Sequence, residues 1–218
     1  MERPPIGNPR RAMAIWLASW LCGLGALAAG NAALYRHVQT LRENDPRVYL
    51  AEADRLMKAG NFAGALAQVS EAIERAPKDP LPRQVHGHVL YRFKEWAEAV
   101  DAYRAALDLG SRDEGTMTNV LWALIQLKRY DEAIRVHGVP WIEAGVRNPS
   151  IVRNVAEAFV RASNWAGGLP YIELALELNP GDIYLMTQLE QAYRNTGDTA
   201  RAEQLHGRIG ELERAGGT

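Results

Sequence analysis

The sequence predicts an all-α fold, built from about five helical hairpins in series behind one apolar N-terminal helix. Three observations predict it. A small residue returns at a near-constant period: Ala65, Ala99, Ala133, Gly168 and Ala202 are separated by 34, 34, 35 and 34 residues. Large residues keep the same phase. Phe62, Trp96, Tyr130 and Trp165 stand three positions before the marker, with Thr199 in the fifth copy, and Leu56, Leu90, Leu124, Phe159 and Tyr193 stand nine before it. Ahead of the repeats, Ala12 to Leu34 contains no charged residue.

Residues 1–11 are polar and proline-rich and read as a cytoplasmic tail. Residues 12–34 would span about 34 Å as a helix, enough to cross a hydrocarbon core of about 30 Å. Arg3, Arg10 and Arg11 outweigh Glu2 on one flank, whereas Glu43 and Asp45 offset Arg36 and Arg42 on the other. That bias predicts a cytoplasmic N-terminus and an extracytoplasmic remainder, periplasmic in a Gram-negative cell. A cleaved secretory signal competes, because Ala26-Leu27-Ala28 satisfies the small-x-small rule; the chain would then be an exported soluble adaptor. Ala14, Ala18, Cys22, Ala26 and Gly30 recur every four residues. On a helix they form one small face that permits close approach of a second membrane helix. Residues 35–45 continue as a stalk, closed by Pro46, which disfavours helical geometry at Asp45.

The region 46–216 divides into five units: 46–79, 80–113, 114–148, 149–182 and 183–216. Each reads as two antiparallel helices. Alanine or glycine stands where they cross, since a larger side chain would separate the backbones. Small residues recur seven positions after the marker at Ala72, Ala106 and Ala175. Gly60-Asn61 and Gly197-Asp198 supply a helix stop followed by a capping side chain, and Ser163-Asn164 is similar. Pro77 and Pro180 end second helices. Helices are expected at 47–59, 62–76, 82–94, 96–109, 114–128, 131–144, 149–162, 166–178, 182–195 and 199–213.

These small and aromatic positions at a 34-residue period resemble the tetratricopeptide repeat family. The resemblance implies a right-handed superhelix whose concave face is lined by the first helix of each unit. Departures are Glu52 and His86 at positions the family usually fills with leucine, Glu190 at a small position, and Ile209 in place of the late alanine of the fifth unit. The third unit places Pro140 where a small residue is expected, after Gly138, and carries one extra residue near Asn148. A bend or looser packing between repeats three and four is therefore predicted.

No catalytic chemistry is legible. The chain has 25 basic and 26 acidic residues, so no net field favours nucleic acid. The single Cys22 rules out an intramolecular disulfide and a cysteine-rich metal site. There is no phosphate-binding glycine loop, nucleophile elbow or HExxH. His86 and His88 would point about 200° apart on a helix, a poor chelate. His137 and His206 fall on equivalent packing positions of second helices. No cofactor, metal or enzymatic activity is expected.

Phasing the sequence onto the family pattern puts Asp54, Met57, Lys58, Gln84, His88, Tyr91 and Arg92 in the concave groove from the first two repeats. Thr118, Asn119, Trp122 and Ile125 would come from the third, Arg153, Asn154, Glu157 and Arg161 from the fourth, and Gln191 and Arg194 from the fifth. A groove tryptophan and tyrosine suit an anchor residue of a bound peptide, with arginines beside them able to pair with carboxylates. Leu50 and Asp54 stand where co-chaperone members carry the lysine and asparagine of a terminal-carboxylate clamp, which argues against that subtype. The expected function is a non-catalytic, membrane-anchored scaffold that holds a protein or peptide for assembly of an envelope complex. The alternative is a structural subunit of a stable membrane complex, in contact through both its membrane helix and its repeats.

Overall fold

The computed structural model describes residues 45–216 together with Asn31, Ala32 and Leu34. The expected membrane segment, its small-residue face and most of the stalk lie outside the described residues. Among those described, no helix is long and apolar enough to cross a membrane.

Within residues 45–216, ten helices follow in order: α1 Pro46–Lys58, α2 Phe62–Arg75, α3 Pro80–Arg92, α4 Trp96–Asp108 and α5 Glu114–Gln126 come first. α6 is composite, with α-helical ends Tyr130–Glu132 and Val139–Glu143 around a π-helical centre Ala133–Gly138. α7 Pro149–Arg161, α8 Trp165–Leu178, α9 Ile183–Thr196 and α10 Thr199–Gly216 complete the series within these residues. Each end falls close to where the sequence places it.

Local chemistry explains the boundaries. Asp45, Asn61, Asp79, Asp113, Asn148, Asn164, Asp182 and Asp198 each accept a hydrogen bond from a backbone N–H in the first turn of the helix that follows. Each cap is worth about 1 kcal/mol. Proline occupies the first position of α1, α3 and α7, where its missing N–H costs nothing. All five hairpin turns close in the same way. A residue with φ between 56° and 86° follows the first helix at Gly60, Lys94, Lys128, Ser163 and Gly197. The next N–H then donates back to Leu56, Leu90, Leu124, Phe159 or Tyr193, so the large residue nine before each marker also anchors the turn. Three of these left-handed positions are not glycine, which is why only two turns carry an obvious glycine signal.

The core runs along the seam between first and second helices. Ala65, Ala99, Ala133 and Ala202 are completely buried, and Gly168 is buried as well. A Cβ on Gly168 would lie 2.8 Å from the Phe159 Cβ, so even alanine is too large there. Gly87 plays the same part on α3, where a Cβ would lie 2.4 Å from the ring of buried Tyr103. His137 is buried, but the equivalent His206 is exposed beside Glu190 at 3.3 Å, and Leu205 fills the core instead. Ile125, expected in the groove, is core.

The third unit departs from the pattern in a different place from the one expected. Its extra residue sits inside α6, in the π turn, and not near Asn148. The hydrogen bonds that end α4 run Leu109 to Ala105, Gly110 to Leu107 and Ser111 to Ala106. Those that end α6 run Ala144 to Pro140, Gly145 to Ile142 and Val146 to Trp141. Trp141 is therefore the counterpart of Ala106, and Pro140 turns outward to solvent. The wide turn explains how proline survives mid-helix, since its ring is kept off the carbonyl it would strike in a regular helix. With a tryptophan at the late small position, α5 and α6 touch less than the pair in any other hairpin, and α5 packs on α7 instead. The looseness is within repeat three. The joint between repeats three and four is tight: a Cβ on Gly138 would lie 2.3 Å from Val155 Cγ2 on α7.

Candidate functional site

First helices alone line a continuous trough. One half, about 350 Å³, is bounded by Asp54, Met57 and Lys58 of α1, His88, Tyr91 and Arg92 of α3, and Asn119 of α5. The other half, about 470 Å³, is bounded by Tyr91, by Thr118, Asn119 and Trp122 of α5, by Ser150, Arg153, Asn154, Glu157 and Arg161 of α7, and by Tyr184 of α9. Tyr91 and Asn119 belong to both halves and join them.

Most of the residues expected in the groove are brought together here, and four are not: Ile125, already placed in the core, Gln84, Gln191 and Arg194. Gln84 turns sideways into the joint between repeats two and three, donating to Ser111 Oγ at 2.8 Å and Thr116 Oγ1 at 3.1 Å. Both acceptors are buried and also bond to Asp113, so Gln84 joins a polar cluster at the joint. Gln191 and Arg194 lie on α9 outside both halves. Arg194 instead holds Glu190 at 2.8 Å on its own helix. Ser150 and Tyr184 were not anticipated; both stand one position after the first residue of their helix, where the family phasing gave α1, α3 and α5 no groove residue.

Partly buried hydrogen bonds hold the trough in shape. Asn119 Nδ2 donates to Tyr103 Oη at 3.1 Å, and Asn154 Nδ2 to the Thr118 carbonyl at 3.2 Å, each tying a first helix to the preceding repeat. His88 meets the Tyr103 ring edge-on at 5.5 Å. Burial pushes the His88 pKa down, opposed by the Asp113 carboxylate, so its imidazole is neutral near pH 7. Burial pushes the Tyr103 hydroxyl well up. Tyr184 is pushed up to about 12 by burial and by its bond to the Glu157 carboxylate, so it stays a donor at any physiological pH.

Charge in the trough is lopsided. Glu157 receives Tyr184 Oη on one oxygen and Arg161 Nε on the other, both at 2.5 Å. Arg153 approaches Asp182 at 3.2 Å and lies 5.5 Å from the centre of the Tyr184 ring. Asp54 pairs with Lys58 at 2.6 Å. Arg92 meets no carboxylate among the described residues. Trp122, half-buried, offers an indole face and an N–H without a protein acceptor there. Among the described residues, no group of three or more His, Cys, Asp or Glu side chains is placed to hold a metal ion.

Solved structures share this architecture. MamA residues 41 to the end from Desulfovibrio magneticus RS-1 superposes with a TM-score of 0.67 at 20% identity, covering 78% of this chain and 96% of that one. YrrB, described as a TPR protein with an unusual peptide-binding site, superposes with a TM-score of 0.68 at 16% identity, covering 81% of this chain and 92% of that one. The fold is a tetratricopeptide-like helical repeat. No protein-family model and no curated protein matches the sequence. Identities this low speak for the fold alone.

Proposed function

We propose that the protein is a non-catalytic scaffold that holds an extended segment of a partner protein in the trough between Lys58 and Tyr184. The observation that carries this reading is Trp122. The hairpin core does not require a tryptophan there, and it stands half-buried among polar side chains at the middle of the trough. An aromatic face flanked by donors fits a peptide side chain and its backbone together. The peptide-binding site named for YrrB, on the same fold, supports the reading. The uncharged run Ala12–Leu34 supports an anchor that places this scaffold at a membrane, with the repeats on the extracytoplasmic side, where it would serve assembly of a membrane or envelope complex.

Affinity capture with the detergent-solubilised full chain tests the scaffold. Proteins recovered with the native chain should be lost with Trp122→Ala and kept with Val136→Ala, which alters an exposed residue on the second-helix face. Equal recovery with both variants rules the trough out. A reporter fused after Thr218 tests the topology: activity confined to the cytoplasm would overturn it. N-terminal sequencing of the same preparation separates a retained anchor from a cleaved signal.

A further inference from the structure

We infer that the segment held in the trough is acidic, with carboxylates at two ends and a large apolar side chain between them. The inference rests on the trough reading and adds the chemistry of the occupant. It follows from which groups are already engaged. Both oxygens of Glu157 are taken, by Tyr184 and Arg161, and Asp54 holds Lys58. The wall around Trp122 therefore offers little to an incoming cation, and in the other half the Asp54 charge is offset by Lys58 through Oδ2 alone. The guanidiniums are in the opposite state. Arg161 uses only Nε, leaving its terminal nitrogens to the trough. Arg153 meets Asp182 through one terminal nitrogen, and about half of its side chain remains exposed. Arg92 is exposed and has no carboxylate partner among the described residues. Free guanidinium edges bind carboxylates through paired charge-assisted hydrogen bonds.

Spacing gives the occupant a grammar. Arg92 and Arg161 hold the same position near the ends of α3 and α7, and α5 with Trp122 lies between these helices. Packed helices stand roughly 8–10 Å apart, so the two cationic ends are roughly 16–20 Å apart. An extended chain advances about 3.3 Å per residue, so its two acidic positions would lie about five or six residues apart, with the apolar residue midway. The whole chain carries no net positive field, which favours a short acidic protein segment over a nucleic-acid backbone.

A random twelve-residue peptide library displayed on phage and selected against the detergent-solubilised full chain tests this. The native chain should enrich peptides with two acidic positions flanking an apolar one. Their affinity should fall about tenfold with Arg92→Gln or Arg161→Gln and fall further with both, as expected for lost charge-assisted bonds. Trp122→Ala should also weaken them, while circular dichroism stays native for all variants. Enrichment that depends on Trp122 but shows no acidic bias, or is unmoved by the arginine substitutions, overturns the acidic inference and leaves the trough standing. Enrichment indifferent to Trp122, or displacement of every peptide by single-stranded oligonucleotide with equal affinity, overturns both.

Discussion

The second and third hairpins are built from sequences of the same phase, yet only one packs as a regular pair. In α3–α4, Gly87 lets the Tyr103 ring lie against the backbone, and Ala106 keeps the far end of the pair close. In α5–α6, the marker Ala133 is equally buried, but one added residue opens a π turn, Trp141 replaces the late alanine, and the far ends separate. A single insertion is thus absorbed within one helix, leaving both neighbouring joints in register. The separated half of α6 coincides with a closer approach of α5 to α7, the two helices that carry Trp122, Arg153 and Arg161. The irregular repeat therefore builds the middle of the trough.

This contrast can be broken at several points. The largest effect is expected from Tyr103→Ala, which empties a fully buried site in the regular hairpin and should cost about 3–5 kcal/mol. Trp141→Ala, in the splayed pair, should cost less than half of that, since the ring is half-exposed; equal losses in urea titrations would mean that the third hairpin is as tightly packed as the second. Next comes deletion of Val136, which restores the 34-residue period. It places Pro140 in a regular helix interior, at a cost of about 3 kcal/mol. Combining the deletion with Pro140→Ala should recover most of that loss, and no recovery would show that the π turn does not serve the proline. Gly138→Ala should cost about 1–3 kcal/mol despite better helix propensity, because its Cβ would meet Val155 and the Ala133 carbonyl.

The smallest effect is in pH dependence. Burial holds His137 down at about 4, and the Arg104 guanidinium, which donates to its Nε2 at 3.3 Å, acts in the same direction. Between its ordinary 6.5 and about 4, the unfolded chain binds a proton that the folded chain refuses. Stability from this site is complete above 6.5 and is lost as the pH falls toward 4. His137→Gln should therefore flatten the fall in melting temperature across that window, and parallel curves would show that another group titrates.

The repeat phase was legible because it rests on side-chain size at fixed spacing: Ala65 and its four counterparts are all buried, as a helix crossing demands. The turns were harder to read, because Lys94 and Lys128 adopt left-handed backbone that sequence normally signals with glycine. The position of the extra residue was not legible. A 35-residue spacing fits a longer loop as well as a π turn, and only the hydrogen bonds after Trp141 separate the two. The residues expected in the groove from α1, α3, α5 and α7 line the trough, apart from Gln84 and the core residue Ile125. Gln84 was misplaced because buried Ser111 and Thr116 claim its amide, a demand that arises only once two repeats stack. Tyr184 was missed because its role depends on Glu157, 27 residues away.

The central claim is that the partner lies in the trough. A photo-crosslinking amino acid placed at position 122 of the full chain, and in parallel at position 136 on the exposed second-helix face, tests it in the cells that make the protein. The account predicts a discrete protein adduct from position 122 that disappears when Arg92 and Arg161 are both changed to glutamine, and none from position 136. An adduct from position 136 with none from position 122 would contradict it.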